Sequence, residues 1–188
     1  GVTFWIETVS VQTIPPNISE EKNSQIVFAK LRFNQTNREG SEVTLTSPSA
    51  SFDSESEQMI IDRPVLQWRN TANGNIVSAS SDKGIFQSQL TSSSLPGGFH
   101  YLVLSGTASV QSKNSRVESA LMLFDNEKRL FLFPGRFTFY TINKKLTRFD
   151  SQGMMYDPLK DKPSPIADVL KNDPEIQSLL QTIGTSKP

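Results

Sequence analysis

Short apolar runs alternate with polar, turn-rich segments along most of the chain and predict β-strands. The segments between the runs are rich in Gly, Asn, Asp and Ser, as in "NREG", "DSESE" and "SSSLPGG". This spacing predicts about ten antiparallel strands over residues 2–150. No helical pattern alternates with them before residue 160, which argues against a parallel α/β sheet. The sequence therefore predicts an all-β sandwich, jelly roll or open barrel.

One segment departs from simple alternation. Residues 116–140 read "RVESALMLFDNEKRLFLFPGRFTFY", two apolar runs around the polar turn "DNEKR". A strand with one solvent-exposed face alternates apolar and polar residues, so continuous apolar runs predict strands that are buried on both faces. Phe131, Phe133, Phe137 and Phe139 occupy positions of one parity, and strand geometry places such positions on one face.

We predict that this phenylalanine face points inward and lines an apolar interior, unless a bulge at Pro134-Gly135 reverses the parity. The neighbouring strand and an equivalent hairpin are expected to add further lining residues: Val117, Ser119, Leu121, Leu123, Met59 and Ile61. The outer face would be covered by neighbouring strands or loops. A ligand-carrying groove and an ordinary closed core have the same composition, so both interpretations stay open here.

An internal repeat supports a hairpin architecture. Segment 45–68 aligns without gaps on segment 117–140. The alignment places Phe52-Asp53 on Phe124-Asp125 and Trp68 on Tyr140. A looser third copy runs from "IVSASSDKGIF" to "YLVLSGTASV" with a longer loop. A single strand–turn–strand unit cannot bury both of its faces, so the copies are expected to share one core.

The last part of the chain has a different character. We predict one domain over residues 1–150 and a linker with a short helical tail over residues 151–188, with "PLKDKP" at 158–163 as the linker. Two Pro residues that follow Ser164 and Asp173 predict helix starts. Ile176, Leu179, Leu180 and Ile183 fall on one helical face, and Gly184 is a natural end. The helix either packs on the sheet as a lid or binds a partner; the sequence leaves both open.

Composition excludes several classes of function. The 188 residues carry 19 basic and 19 acidic side chains, so no net basic field favours nucleic acid. No apolar run reaches the roughly 20 residues of a membrane-spanning helix. Cysteine is absent, which excludes disulfides and thiol chemistry. His100 is the single histidine, and we interpret it as a loop or strand-start residue.

Motifs for catalysis or metal binding are missing from the sequence. It contains no paired-histidine metal motif, no G-x-S-x-G and no glycine-rich phosphate loop. The acidic stretch "DSESE" at 53–57 lacks the spacing of a calcium loop and is interpreted as a solvated turn. We therefore expect no enzyme activity, no cofactor and no bound metal. Lys144, Lys145 and Arg148 form a small basic cluster that either contacts lipid phosphates or is plain surface.

The repeated units resemble those of the OstA/LptC group of lipopolysaccharide transport proteins. The segments that carry the resemblance are "VTLTSPSASFDSESEQMIIDRPVLQW", "YLVLSGTASV" and "RVESALMLFDNEKRLFLFPGRFTFY". The order of the pieces is most similar to LptC and covers residues 3–150. The resemblance implies an OstA-like open β-jelly roll of antiparallel hairpin repeats, shaped as a trough. The helical tail is not part of that family pattern.

The resemblance also implies a function and a location. Proteins of this kind accept lipopolysaccharide from an inner-membrane ABC transporter and pass it to a periplasmic bridge protein of the same fold through sheet-edge pairing. We accordingly expect a periplasmic domain tethered to the inner membrane by an N-terminal helix that this chain lacks. Two alternatives remain: a β-sandwich binding or adhesion module with a closed core and no lipid cargo, and an enzyme on a jelly roll, for which no paired catalytic groups are visible.

Overall fold

The computed structural model describes residues 2–8, 12–13, 25–28, 30–36, 41–70, 74–87, 99–141, 146–149, 153–160, 162–165 and 172–185. Within these ranges the chain forms seventeen strands and one helix, α1 (Pro174–Thr185). The strands are, in chain order, β1 (Val2–Thr8), β2 (Gln12–Thr13), β3 (Gln25–Phe28), β4 (Lys30–Thr36), β5 (Ser41–Ser47), β6 (Ser49–Asp53), β7 (Gln58–Asp62), β8 (Val65–Asn70), β9 (Ile76–Ser80), β10 (Lys83–Gln87), β11 (Tyr101–Gln111), β12 (Ser115–Asp125), β13 (Leu130–Phe133), β14 (Phe137–Thr141), β15 (Leu146–Phe149), β16 (Met154–Asp157) and β17 (Lys162–Pro165).

All strand pairs are antiparallel, and they follow two rows. The first sheet has the order β1–β4–β5–β8–β9–β11–β12–β14–β15. The second sheet has the order β2–β3–β6–β7–β10–β11–β12–β13–β16–β17. Strands β11 and β12 are long enough to belong to both. Apolar residues from both sheets form one buried cluster, so the sheets pack face to face around a shared core.

Bends carry the long hairpins from one sheet to the other. In β5–β6 and β7–β8 the strands break at Pro48 and Pro64, as expected because proline cannot donate a ladder hydrogen bond. In β11 the pairing with β12 shifts between Ser105 and Ala108. Gly106 and Thr107 lie there with φ of 75° and 46°, the left-handed region that glycine adopts without strain. These bends make an open, jelly-roll-like fold out of simple hairpins.

Gly106 provides a direct test of this bend. A Cβ added at Gly106 would lie 2.7 Å from Oδ2 of Asp82, and its φ is positive. We expect Gly106→Ala to lower the free energy of unfolding by about 1–3 kcal/mol, measured by urea denaturation. Gly135→Ala is the matched control, because an added Cβ there has no atom within 4 Å. Equal stability of both variants would contradict the role of Gly106.

The predicted repeat is confirmed around its turn. Phe52 pairs with Met59 in the first hairpin, and Phe124 pairs with Phe131 at the same offset in the second. Asp53 and Asp125, the next residues, also make the same contact. Oδ1 of each accepts a hydrogen bond at 3.0 Å from the backbone N–H of the residue two positions later. Glu57 and Arg129, which end the two turns, have φ of 56° and 57°.

The alignment fails beyond the bend of the second hairpin. In the first copy, Trp68 pairs with Val43. The alignment places Val43 on Ser115, and Ser115 pairs with Thr141. The residue equivalent to Trp68 is therefore Thr141, and the predicted equivalence with Tyr140 is wrong by one residue. The extra residue lies in the Pro134–Arg136 connection between β13 and β14, a length change that a gapless alignment cannot include.

The predicted linker at 158–163 is also wrong, since the sheet continues past residue 150. Strand β16 pairs with β13, and β17 pairs with β16 after a turn at residues 158–160. Ser164 and Pro165 lie in β17 and start no helix. Proline is tolerated there because β17 pairs with β16 alone among the described strands, and its other edge needs no donor.

Helix α1 packs on the outer face of the second sheet, as the lid interpretation expected. Oδ1 of Asp173 accepts hydrogen bonds from the N–H groups of Glu175 at 2.9 Å and Ile176 at 3.4 Å, which is an N-cap before Pro174. The residues that bury the outer face form what we term the outer cluster: Ile85, Tyr101, Val103, Leu123, Leu132, Ile176 and Leu179. Leu180 and Ile183 pack against it.

The architecture thus agrees with the predicted fold class: mostly antiparallel β-structure, an open sheet and one short C-terminal helix. No helix in the described part of the chain is long and apolar enough to cross a membrane. The two apolar faces of segment 116–140 are both accounted for, because one faces the core between the sheets and the other contributes Leu123 and Leu132 to the outer cluster, which also contains residues of α1.

Candidate lipid-binding interior

The four phenylalanines of the predicted stripe share one environment. Phe131 and Phe133 on β13 and Phe137 and Phe139 on β14 all belong to the buried cluster between the sheets, which we term the inter-sheet cluster. Their exposed fractions are 0%, 0%, 1% and 6%. The connection at residues 134–136 therefore keeps the four side chains on one face.

Ring contacts join these side chains into an aromatic row. Phe133 and Phe137 stack with centroids 4.3 Å apart and planes 18° apart. Phe131 lies 6.5 Å from Tyr156, and Phe139 meets the same tyrosine edge-on at 6.0 Å. Such pairs add about 0.5–1.5 kcal/mol each beyond the area they bury. The row is a cohesive part of the core.

Three further lining residues lie where they were predicted. Met59 and Ile61 on β7 are buried in the inter-sheet cluster, as is Val117 on β12. Ser119 pairs with Phe137, which places it on the same face. Its hydroxyl donates to the carbonyl oxygens of Leu121 and Arg136, at 2.9 and 2.8 Å, and thereby ties the bend of β12 to the start of β14.

The placement of Leu121 and Leu123 in this lining is wrong. Leu123 pairs with Leu132 and belongs to the outer cluster, and the half-buried Leu121 packs against that cluster too. The cause is the bend near Ala120, where two residues of β11 face one residue of β12. This bend reverses the parity of β12, so that Met122 and Phe124 face inward beyond it.

Several lining residues escaped the sequence analysis. Tyr156 is fully buried among the phenylalanines, but it lies in the segment that was assigned to the tail. Phe99 belongs to the same inter-sheet cluster, where its ring lies 5.1 Å from that of Phe33 and 5.2 Å from that of Phe86. The signal for Tyr156 was present in the apolar run "MMY", whereas the sequence before Phe99, "TSSSLPGG", has no strand pattern.

Polar groups mark both ends of β12, the 11-residue strand that runs along this interior. At its start, the hydroxyls of Ser112, Ser115 and Tyr156 form a buried hydrogen-bonded triad. At its end, the buried Asp125 accepts hydrogen bonds from the turn that follows, and Arg129 donates to Oδ1 of Asn126 at 2.8 Å. The apolar interior is bounded by these two polar groups.

Where the chain is described, the interior shows no open groove, since the four phenylalanines are at most 6% exposed. Four surface cavities lined by described residues have volumes of about 190 to 290 Å³, and none of these four is lined by a phenylalanine of the row. Sites for drug-sized ligands typically enclose ~300–1,000 Å³. Within the described part of the chain, access of an acyl chain to the phenylalanine row would require the two sheets to separate.

The other predicted features add little to this site. His100 lies at the start of β11, and no group of three or more His, Cys, Asp and Glu residues among those described is arranged to hold a metal ion. The turn at 54–57 is exposed, as predicted. Of the basic cluster, Lys144 and Lys145 lie outside the described residues, and the side chain of Arg148 is not described.

Comparison of the chain with protein-family models and with curated proteins found no match.

Proposed function

We propose that this protein is a periplasmic lipid-transfer component of the LptC kind, which accepts lipopolysaccharide from an inner-membrane ABC transporter and passes it to an LptA-like bridge protein. The observation that carries the proposal is the apolar row Phe131, Phe133, Phe137 and Phe139, enclosed by two sheets that are joined through β11 and β12 and open at their edges. The resemblance of the hairpin repeats supports it. The protein acts without a cofactor and without catalysis.

The energetics of acyl chains favour transfer along a continuous surface. Burial of one methylene contributes ~0.8 kcal/mol, so an acyl chain of about a dozen gains on the order of 10 kcal/mol. Release of such a chain into water would be very slow. A protein that moves this cargo must hand it directly to a partner that offers a similar interior.

The sheet edges provide a place for the partner to join. Among the described strands, β1 pairs with β4 alone and β15 pairs with β14 alone, so each leaves one edge of the first sheet unpaired. Unpaired backbone groups on an edge strand can extend the ladder into a second sheet. Pairing of this kind would align the interiors of two proteins of the same fold.

A second candidate function is a β-sandwich binding or adhesion module with a closed core. The observation that favours it is the complete burial of Phe131 and Phe133, at 0% exposure each. In that case the aromatic row would stabilise the fold and bind nothing, and the function would reside on the outer surface.

Photo-crosslinking from the inward and outward faces of β13 distinguishes the two candidate functions. We expect a photoreactive residue at position 131 or 133 to capture purified lipopolysaccharide, because these side chains face the interior. The same residue at 130 or 132 should capture much less, since Leu132 belongs to the outer cluster and Leu130 has the same parity as Leu132. Circular dichroism establishes that each variant is folded.

Each other outcome of this experiment is informative. Equal capture from both faces would contradict the assignment of the interior as the binding site. A folded protein that captures lipopolysaccharide from none of the four positions would favour the closed sandwich.

A further inference from the structure

A cluster of charged groups holds the start of helix α1 against the sheet. Nδ1 of His100 lies 3.6 Å from Oε2 of Glu175, the second residue of the helix. Nε2 of the same imidazole lies 3.6 Å from Oδ1 of Asp125 and 3.4 Å from Oε2 of Glu127. The single histidine of the chain therefore bridges the β12–β13 turn to the helix.

A second contact reinforces this attachment. The hydroxyl of Tyr101 donates to Oδ2 of Asp173, the N-cap residue, at 2.8 Å. The His100 ring stacks on the Tyr101 ring with centroids 3.8 Å apart. The helix start is thus held by two adjacent aromatic residues of the sheet, while the apolar contacts of Ile176 and Leu179 hold the helix body.

The charges around His100 are strongly unbalanced. Carboxylates approach it from β12 (Asp125), from the following turn (Glu127) and from the helix (Glu175), and Asp173 lies next to its stacking partner. Among the described residues, Arg129 is a cation near this group. It interacts with Asp125, and burial lowers its pKa to about 10. A neutral imidazole leaves the carboxylates to repel one another, whereas a protonated one pairs with them.

We propose that α1 is a pH-sensitive strap, which protonated His100 fastens to the second sheet and which loosens when His100 loses its proton. Histidine is the side chain whose charge ordinarily changes between about pH 5 and 8. Loosening would uncover the apolar outer face of β10, β11, β12 and β13. The strap is separate from the interior between the sheets, so this proposal and the proposed lipid-transfer function can be tested independently.

The direction of the effect follows from linkage. Docking of the helix brings the Glu175 carboxylate against His100, and a charged imidazole attracts that carboxylate whereas a neutral imidazole does not. Burial also raises the pKa of Glu175, although the charge of His100 opposes that shift. A raised carboxyl pKa likewise favours docking at low pH, and its contribution is lost as the pH rises. Both groups therefore weaken docking as the pH increases.

Because the chain has no cysteine, engineered thiols can report on the strap. Leu179→Cys places a thiol under the helix, Ser178→Cys places one on its exposed side, and Val110→Cys places one in the inter-sheet cluster. Reaction rates with a neutral thiol reagent are measured at pH 5.5 and pH 8.0. Division by the rate of the Ser178→Cys protein at the same pH removes the effect of thiol ionisation.

We expect the protection of the thiol at position 179 to fall about threefold to fivefold between pH 5.5 and 8.0. Adding His100→Gln should reduce this change, and protection at position 110 should stay constant in both backgrounds. A pH-independent protection at 179, a change of undiminished size in His100→Gln, or a parallel loss at 110 would each overturn the proposal.

Amide hydrogen exchange provides the same test if Leu179→Cys does not fold. It compares residues 174–185 with residues 115–125 in the unsubstituted chain and in His100→Gln, after correction for the intrinsic pH dependence of exchange. The helix should exchange faster relative to β12 at pH 8.0 than at pH 5.5, and this difference should be smaller in His100→Gln. Equal relative exchange at both pH values would contradict the strap.

Discussion

Replacement of Phe131 by alanine is expected to lower the free energy of unfolding by about 3–5 kcal/mol, as is usual for a large aromatic side chain in a packed core. Phe131 is fully buried, its ring lies 5.1 Å from that of Phe124, and it also approaches Tyr156. Domains of this size are stable by ~5–15 kcal/mol, so the loss would be a large part of the total. Urea denaturation followed by circular dichroism measures it.

Val65→Ala provides the control. Val65 lies on β8 of the same fold but is 37% exposed, so its truncation should change stability by about 0.5 kcal/mol or less. A loss below about 1 kcal/mol for Phe131→Ala would show that the interior is loosely packed even without ligand.

The same burial guides the design of functional variants. A charge such as Phe133→Asp would enter a fully apolar environment and would destabilise the fold as well as any ligand complex. Phe133→Leu keeps the interior apolar and removes the stacked contact with Phe137, so it is the better probe of binding. Binding and stability should be measured on the same protein preparation.

The strands and hairpins were predictable because their signals are local. Turn residues and strand-forming runs predicted the hairpins, and the repeated Phe-Asp pair predicted the turn that two of them share. The helix was predictable from the N-cap Asp173 before Pro174. Its buried face was predictable from the spacing of four apolar residues: Ile176, Leu179, Leu180 and Ile183.

The misassigned residues have a common physical cause. Inward and outward positions in a strand are assigned by counting alternate residues, so a bend that breaks the alternation reverses every position beyond it. The bulge opposite Ala120 reversed Leu121 and Leu123 in this way. The bend is specified by a long-range partner, β11, and is invisible in the periodicity of β12 alone.

Other features depend on contacts that local pattern does not encode. The segment "DPLKDKPSP" has the composition of a linker, yet it forms β17 and the turn before it, because β16 offers an edge at which proline is tolerated. The sequence likewise could not predict whether the phenylalanine row lines an open groove or a closed core, since both use the same residues.

The central claim is that lipopolysaccharide enters between the two sheets, and a distance between the sheets tests it most directly. Spin labels can be placed through Gln67→Cys on β8 of the first sheet and Ser51→Cys on β6 of the second, in a chain that has no other thiol. We expect purified lipopolysaccharide to lengthen the pulsed-EPR distance by at least about 4 Å, one carbon–carbon contact, and the deacylated saccharide to leave it unchanged. An unchanged distance in protein that has bound lipopolysaccharide would contradict the account.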